Sequence, residues 1–279
     1  MNTNKILHNL HLDGFHIIEN VIPKDKVDEV RDSVIEVIEK EKERMEEAQR
    51  ELRAKGHRIG ATGVNNVQQL IAHTQSFAPF IADERILGTV EAMFGPYVKT
   101  SATIGLINNP GNSRGYWHSD WPFNQTVANH VPAPYPDAAL HLSSIWMLTP
   151  FNEETGGTLV VPGSHRMLDN PSGENGVDRD APYPTEVNAT GDPGSVLLFD
   201  SRLWHAVPPN KSSSPRVAVV IRFAPWWLNL EVSKAGTPEH ERMIVEDKGK
   251  GVATPPIPRA IYDKLPEKVQ PLYRYWVEN

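Results

Sequence analysis

The sequence places a histidine and an aspartate two positions apart, His118 and Asp120, within the aromatic run Tyr116–Trp121. Alternate side chains of an extended strand share a face, so an extended run here points both side chains the same way. An imidazole and a carboxylate are two of the three ligands in the 2-His-1-carboxylate arrangement that holds non-haem Fe(II). The pair alone does not establish a metal site, because two polar residues on a solvent-facing strand have the same spacing.

A second histidine, His205, is the candidate for the third ligand. In a closed jelly roll, strands that are far apart in sequence can face each other, which would bring His205 beside the first pair. Two imidazoles and a carboxylate leave positions on the metal for a chelating oxo-acid and for dioxygen. The remote carboxylate of that acid needs a fixed cation, for which arginine is preferred. Arg216 and Arg222 follow at even separation, so they share one strand face and either can be the anchor.

Short β-rich runs separated by Gly, Pro and Asn turns predict the framework that positions these residues, and the pattern is typical of a sandwich or barrel. The predicted strands are Val98–Leu106, Tyr116–Trp121, Leu140–Leu148, Thr158–Val161, Ser195–Phe199 and Val217–Phe223.

The chain before these strands is predicted to be mainly helical. A short strand is expected at 15–22, and apolar residues at helical spacing predict a long helix after Pro23, from Val27 to about Lys55. Further helical pieces are predicted at Gln68–Ala72 and Pro79–Phe94.

Composition excludes several classes of function. The chain has 279 residues, a formal net charge of -7 and no cysteine. Disulfides, thiolate metal sites and cysteine nucleophiles are therefore excluded. The negative charge makes nucleic acid and anionic membranes poor partners. No apolar run approaches the ~20 residues of a membrane span, and the first residues lack the pattern of a signal peptide. We therefore expect a soluble cytoplasmic protein.

The full set of motifs resembles the phytanoyl-CoA dioxygenase family of Fe(II)/2-oxoglutarate oxygenases. The resemblance runs from about residue 11 to residue 225. It is carried by the metal motif at His118, Asp120 and His205 and by Arg216 eleven residues later. Asp13-Gly14-Phe15, Leu106–Gly111, Ile145-Trp146, Gly156–His165 and Gly191-Asp192 add to it in consistent order, and Tyr116–Asp120 is similar to ectoine hydroxylase.

The resemblance implies Fe(II), 2-oxoglutarate and dioxygen, with His118, Asp120 and His205 as iron ligands and Arg216 on the remote carboxylate. It also implies co-substrate contacts from Trp146 and, more loosely, from Asn66. Strand parity places Thr103 and Ile107 on the co-substrate side. The family often has Ser two residues after the distal histidine, where this chain has Val207, so another group or a water must replace that hydrogen bond.

Several other polar and aromatic residues have expected roles. Tyr116 and Phe123 are candidate substrate contacts, and Arg222 is expected to be a structural ion pair or a substrate contact. His165 is an alternative metal ligand, although its Pro-Gly-Ser-His motif resembles a structural turn of the family. His130 and His141 are expected to be a loop residue and a sheet residue, and parity turns Trp117 and Trp121 away from the metal.

We therefore predict a mainly β protein with helices (α+β), built on a double-stranded β-helix, or cupin-like jelly roll, with an N-terminal helical region packed on it. The expected organisation is a single catalytic domain over 1–279, with N-terminal elements at 1–97, the β core at 98–226 and an extension at 227–279. The expected activity is hydroxylation of a small molecule, with desaturation as a variant. A cupin-type isomerase or hydrolase and a non-catalytic binding protein remain alternatives, and the sequence leaves open whether the long helix caps the barrel or forms a homodimer.

Overall fold

The long N-terminal helix covers one face of a large β-sheet in the computed structural model, which describes residues 3–56, 60–123, 131–171, 173–246 and 253–278. This helix, α2 (Lys24–Ala54), buries its apolar stripe, including Val30, Val34 and Ile38, and exposes its charged face. The other helices are α1 (Thr3–Leu12), α3 (Ala78–Ile81), α4 (Glu84–Phe94), α5 (Pro238–His240), α6 (Arg259–Tyr262) and α7 (Gln270–Tyr273).

The large sheet has six strands in the order β1-β7-β4-β9-β3-β2, all paired antiparallel. A smaller antiparallel sheet has the order β6-β5-β8. The strands are β1 (Phe15–Ile18), β2 (Val64–Gln68), β3 (Lys99–Asn108), β4 (Leu142–Met147), β5 (Thr158–Val160), β6 (Val187–Ala189), β7 (Val196–Asp200), β8 (His205–Ala206) and β9 (Arg216–Ala224).

The two faces of the large sheet pack against different partners. On β9, Val217, Val219 and Ile221 belong to the hydrophobic cluster that includes α2. Their neighbours Ala218 and Val220 point the other way, into a second cluster. That second cluster also holds residues of the small sheet, so we call its side of the large sheet the inner face. Any site between the two sheets must be built from inner-face residues.

Several predicted elements are confirmed with small changes in their ends. The long helix and the strands that correspond to β3, β4, β5, β7 and β9 are present. The helix predicted at Pro79–Phe94 is two helices, because Asp83 caps α4 by accepting a hydrogen bond from the Arg85 backbone N–H.

Two predictions about local structure are wrong. Residues 116–121 form no regular strand, only an extended segment with a single bridge between His118 and His205. The helical piece predicted at Gln68–Ala72 is β2 followed by a short 3-10 turn at Leu70–Ala72. Among the described residues, no helix is long and apolar enough to cross a bilayer.

Candidate metal centre

Three potential ligands meet on the inner face. One donor atom each from His118, Asp120 and His205 lies within 4.8 Å of the others. Two backbone hydrogen bonds join the segments of His118 and His205, at 3.1 and 3.0 Å, and the Asp120 N–H donates to the Ser201 carbonyl at 2.7 Å. The backbone therefore holds all three side chains in place, although their segments are more than 80 residues apart.

Hydrogen bonds also fix which imidazole nitrogen faces the centre. His118 Nδ1 lies 3.0 Å from the Tyr116 carbonyl oxygen, and His205 Nδ1 lies 2.9 Å from the Leu203 carbonyl oxygen. A carbonyl oxygen only accepts, so each Nδ1 carries a proton, and in the neutral form of each ring Nε2 presents the lone pair. Burial, and then the nearby His205, lower the pKa of His118 to about 3. Neutral imidazoles oriented in this way are suited to bind a metal ion.

Asp120 supplies the negative charge of the centre. Its Oδ2 accepts a hydrogen bond from the Ser143 hydroxyl at 2.7 Å, and its Oδ1 pairs with the Arg222 guanidinium. Burial alone would raise the pKa of Asp120, but Arg222 and the neighbouring histidines and serine hold it well below its usual range. Two imidazole nitrogens and an ionised carboxylate are the donor set of a non-haem Fe(II) site, so the residues fit that metal.

Arg216 lies on the same face of β9 as Arg222, but in a different environment. Its side chain is buried, and its Nε and Nη1 atoms have no hydrogen-bond partner. Its guanidinium carbon lies 4.3 Å from the Phe151 ring centroid, and burial lowers the pKa of Arg216 to about 9. A buried cation without an anionic partner is costly, which indicates that an anion binds here.

Asn108 is a site residue that the sequence did not reveal. It is directly paired with Arg216 across β3 and β9 and is fully buried. Both its Oδ1 and its Nδ2 lack a hydrogen-bond partner. Buried amide groups are normally satisfied, so this unsatisfied amide beside an unsatisfied guanidinium marks one polar subsite. The sequence signal was weak, because only the pairing of β3 with β9 brings the two side chains together.

A cavity of about 200 Å³ opens beside the metal centre. Its lining includes Asn66 and Tyr116, two of the predicted contact residues, and Val207, whose apolar side chain replaces the family's serine. The Tyr116 ring also stacks under Arg179, with 4.5 Å between the guanidinium carbon and the ring centroid. Gln49 of α2 lines the same cavity, so the long helix covers the barrel at this point.

Three residues that were predicted on the co-substrate side lie on the opposite face of the sheet. Trp146 is buried in the cluster formed with the helices, and its indole N–H donates to the Ser144 hydroxyl at 3.0 Å. Thr103 is hydrogen-bonded to the Tyr273 hydroxyl at 2.8 Å, and Ile107 belongs to the same helix-side cluster. The assumed strand parity was off by one residue, since the inner face carries Ile104 and Leu106 instead.

Other candidates take structural roles. Phe123 is fully buried against the Tyr135 ring, with 5.2 Å between centroids, so it does not line the cavity. Trp117 is buried, as its parity predicted, and donates to the Ala181 carbonyl. His165 lies in a turn with Nε2 near the His11 carbonyl oxygen, apart from the three grouped ligands. His130 lies outside the described residues.

Comparison with known proteins agrees with this geometry. The family profile described as phytanoyl-CoA dioxygenase (PhyH) matches residues 10–218. The ectoine dioxygenase of Nocardia farcinica is 28% identical over 235 residues, which cover 76% of this chain and 74% of that protein.

Solved structures share the fold at low sequence identity. HygX from Streptomyces hygroscopicus, solved with nickel and 2-oxoglutarate bound, superposes with a TM-score of 0.60 at 18% identity, over 82% of this chain and 89% of HygX. The epimerase SnoN, in complex with Fe3+, alpha ketoglutarate and nogalamycin RO, has a TM-score of 0.55 at 18% identity, over 80% and 83% of the two chains. These likenesses confirm the predicted jelly-roll core.

Proposed function

Because the chain belongs to the phytanoyl-CoA dioxygenase family of Fe(II)/2-oxoglutarate-dependent oxygenases, we propose that it hydroxylates an unactivated C–H bond of a small molecule. The observation that carries the proposal is the pairing of two features on one sheet face. A set of three potential metal ligands lies at one position, and an unpaired buried Arg216 lies at another. A chelating dicarboxylate such as 2-oxoglutarate needs both, a metal for one end and a cation for the other.

His118, His205 and Asp120 would hold the iron, since one donor atom of each lies within 4.8 Å of the others, and His205 Nε2 lies 3.8 Å from Asp120 Oδ1. Iron, 2-oxoglutarate and dioxygen together supply the oxidising chemistry when bound. The protein contributes placement: two imidazoles, one carboxylate and no further protein ligand among the described residues at this centre. Three protein ligands leave the remaining positions of an octahedral ion open to exogenous molecules.

Arg216 and Asn108 would bind the remote carboxylate of 2-oxoglutarate. The guanidinium offers N–H donors at Nε and Nη1, and the Asn108 amide adds a donor at Nδ2, all without a partner in the protein alone. Asn108 can thereby replace the hydrogen bond that Val207 cannot make. Binding a dianion here would also neutralise the buried Arg216 charge, which gives the co-substrate affinity and selectivity.

The cavity beside the metal would take the substrate. Gln49, Asn66 and Tyr116 present polar groups, while Val64 and Val207 give an apolar wall. Among the described residues that line the cavity, only His118 and the Tyr116 phenol are ionisable. We propose a small molecule with neutral polar groups next to the reacting carbon, rather than a coenzyme-A thioester, whose phosphates need cations.

The homodimer stays a prediction, as do the domain boundaries and the exclusion of nucleic acid.

The experiment that tests the reaction type is a metabolite screen with the Fe(II)-loaded protein, 2-oxoglutarate and air, read by mass spectrometry. Hydroxylation adds about 16 mass units, desaturation or ring closure removes about 2, and epimerisation changes none, as follows from the atoms exchanged in each reaction. A product about 16 units heavier that forms only with 2-oxoglutarate supports the proposal. Products without a mass change, or turnover that does not need 2-oxoglutarate, would replace it with an epimerase, or with a metal-dependent isomerase or hydrolase.

A further inference from the structure

A chain of hydrogen bonds runs from Asp120 to a buried histidine that does not touch the metal centre. Asp120 Oδ2 accepts from Ser143 Oγ at 2.7 Å, and Ser143 Oγ lies 2.9 Å from Ser201 Oγ. Ser201 Oγ lies 2.6 Å from His141 Nδ1, and His141 Nε2 lies 2.6 Å from Ser101 Oγ. Ser143, Ser201 and His141 are fully buried, so water does not compete for these bonds.

The direction of every bond in this chain follows from the carboxylate. Ionised Asp120 only accepts, so Ser143 donates its single hydroxyl hydrogen to Asp120 and must accept from Ser201. Ser201 thereby donates its own hydroxyl hydrogen to Ser143, so it accepts from Nδ1–H of His141. His141 Nε2 is left with a lone pair, which accepts from Ser101. This pattern of donors and acceptors is that of a neutral His141, in keeping with burial and then the nearby Arg222, which lower the pKa of His141 to about 3.

We propose that His141 is a positioning residue for the metal ligand Asp120. It donates to Ser201, Ser201 donates to Ser143, and Ser143 holds Asp120 Oδ2. With Oδ2 held by Ser143, Oδ1, which also pairs with the Arg222 guanidinium, lies 3.8 Å from His205 Nε2. His141 therefore makes Asp120 a one-oxygen ligand in a fixed orientation. The inference rests on the proposed metal site, and it assigns to His141 a role that does not depend on contact with metal, co-substrate or substrate.

The test is the affinity of the metal-free protein for Co(II) alone, measured by calorimetric titration, in the matched variants His141→Leu and His141→Asn. Leucine and asparagine have nearly the same shape, but only asparagine keeps an N–H near the Nδ1 position that can donate to Ser201. Loss of an outer partner of a metal ligand typically weakens metal binding by about 10–100-fold. We expect that loss for His141→Leu, and a change of less than about 3-fold for His141→Asn.

Two further variants separate positioning from general packing. Ser143→Ala cuts the chain at the carboxylate, so it should weaken Co(II) binding at least as much as His141→Leu. Since the hydrogen bonds act in series, the double variant His141→Leu/Ser143→Ala should bind Co(II) no more weakly than Ser143→Ala alone. His165→Leu removes another buried histidine outside the chain and should leave the affinity unchanged.

The outcomes separate this inference from the proposed function. If His141→Leu and His141→Asn bind Co(II) equally well, or if the effects of His141→Leu and Ser143→Ala add, the positioning role is wrong. Should His141→Leu fail to fold, the comparison of Ser143→Ala with His141→Asn decides: equal affinities would overturn the role. If the unmodified protein does not bind Co(II), the metal site itself, and with it the proposed function, is wrong.

Discussion

Replacing Arg216 by methionine should stabilise the protein alone and abolish its response to 2-oxoglutarate. Arg216 is a buried cation whose Nε and Nη1 have no partner, and burial lowers its pKa to about 9. At neutral pH the side chain is still charged in the folded protein, so the folded state bears the full cost of that burial. The cost would disappear only as the pH rises well above about 9. Methionine removes it at every pH and fills similar space.

The size of the effect follows from the shift. A pKa lowered from the ordinary arginine value to about 9 corresponds to on the order of 4–5 kcal/mol, at about 1.4 kcal/mol per pKa unit. The contact with the Phe151 ring, 4.3 Å from the guanidinium carbon, offsets about 1–2 kcal/mol of this. The variant should therefore gain about 2–4 kcal/mol, which for a domain of this size is about 5–10 °C in Tm.

Thermal unfolding with and without 2-oxoglutarate measures both effects: the change in the Tm of the protein alone, and the rise in Tm that 2-oxoglutarate causes. With Ni(II) in place of iron to prevent turnover, saturation at about 100 times Kd stabilises the folded state by about 2.7 kcal/mol. The unmodified protein should then show a Tm rise of about 5–10 °C, and Arg216→Met should show none. The higher Tm of the variant alone also excludes misfolding as the reason for the lost response.

The control is Arg222→Met, because Arg222 already has Asp120 as its partner. It should lower the Tm of the protein alone and keep most of the response to 2-oxoglutarate. The assignment of the anchor would be refuted if Arg216→Met destabilised the protein and kept the response, while Arg222→Met lost it.

Two other predictions concern neighbouring side chains. Asn108→Leu removes an amide with no partner in the protein alone, so it should leave Tm equal or higher but weaken 2-oxoglutarate binding about 10-fold, as loss of a hydrogen bond to a charged group typically does. Calorimetry on the Ni(II)-loaded protein measures this, and unchanged affinity would remove Asn108 from the subsite. The pKa of His141, lowered to about 3, means that the unfolded chain takes up a proton below about 6.5 that the folded chain does not. Because of this residue, the free energy of unfolding should fall by about 1.4 kcal/mol per pH unit from pH 6.5 toward 3, with no loss above pH 6.5. Urea unfolding at pH 7, 6 and 5 measures this. The free energy of unfolding should fall less steeply with pH in His141→Asn than in the unmodified protein, and an identical pH dependence would contradict the lowered pKa of His141.

The ligand set was predictable because its spacing is local or belongs to a family pattern. His118 and Asp120 are close in sequence, and extended backbone puts them on one side whether or not a regular strand forms. His205 could be predicted as the third ligand because the metal needs a second imidazole and because the family resemblance places a histidine there. The preference for Arg216 over Arg222 as the anchor also agrees with the different environments that the two side chains occupy.

Strand faces were harder to predict than strands. Trp146 and Thr103 lie on strands that were correctly located, but the resemblance did not fix which parity faces inward, and an error of one residue reverses the face. Gly105 shows the reason for the observed parity, since a Cβ there would lie 3.1 Å from a Leu70 side-chain carbon, on the side covered by the helices. The residues around Gly105 in the sequence do not predict this packing against Leu70.

Asn108 and His141 could not have been found from local sequence. Asn108 matters because it is paired with Arg216, 108 positions later, and both remain unsatisfied. His141 contacts Ser101 and Ser201, 40 and 60 positions away. β2 was missed because Val64–Gln68 is mostly polar, and its pairing with β3 decides its conformation.

The most direct test of the oxygenase assignment is the release of succinate from 2-oxoglutarate by the purified protein, compared with Asp120→Ala. The proposed function predicts succinate only when Fe(II), 2-oxoglutarate and dioxygen are all present, increased by an accepted substrate, and abolished in a folded Asp120→Ala protein. Succinate that persists in Asp120→Ala, or none from the unmodified protein across a broad substrate panel, would contradict it.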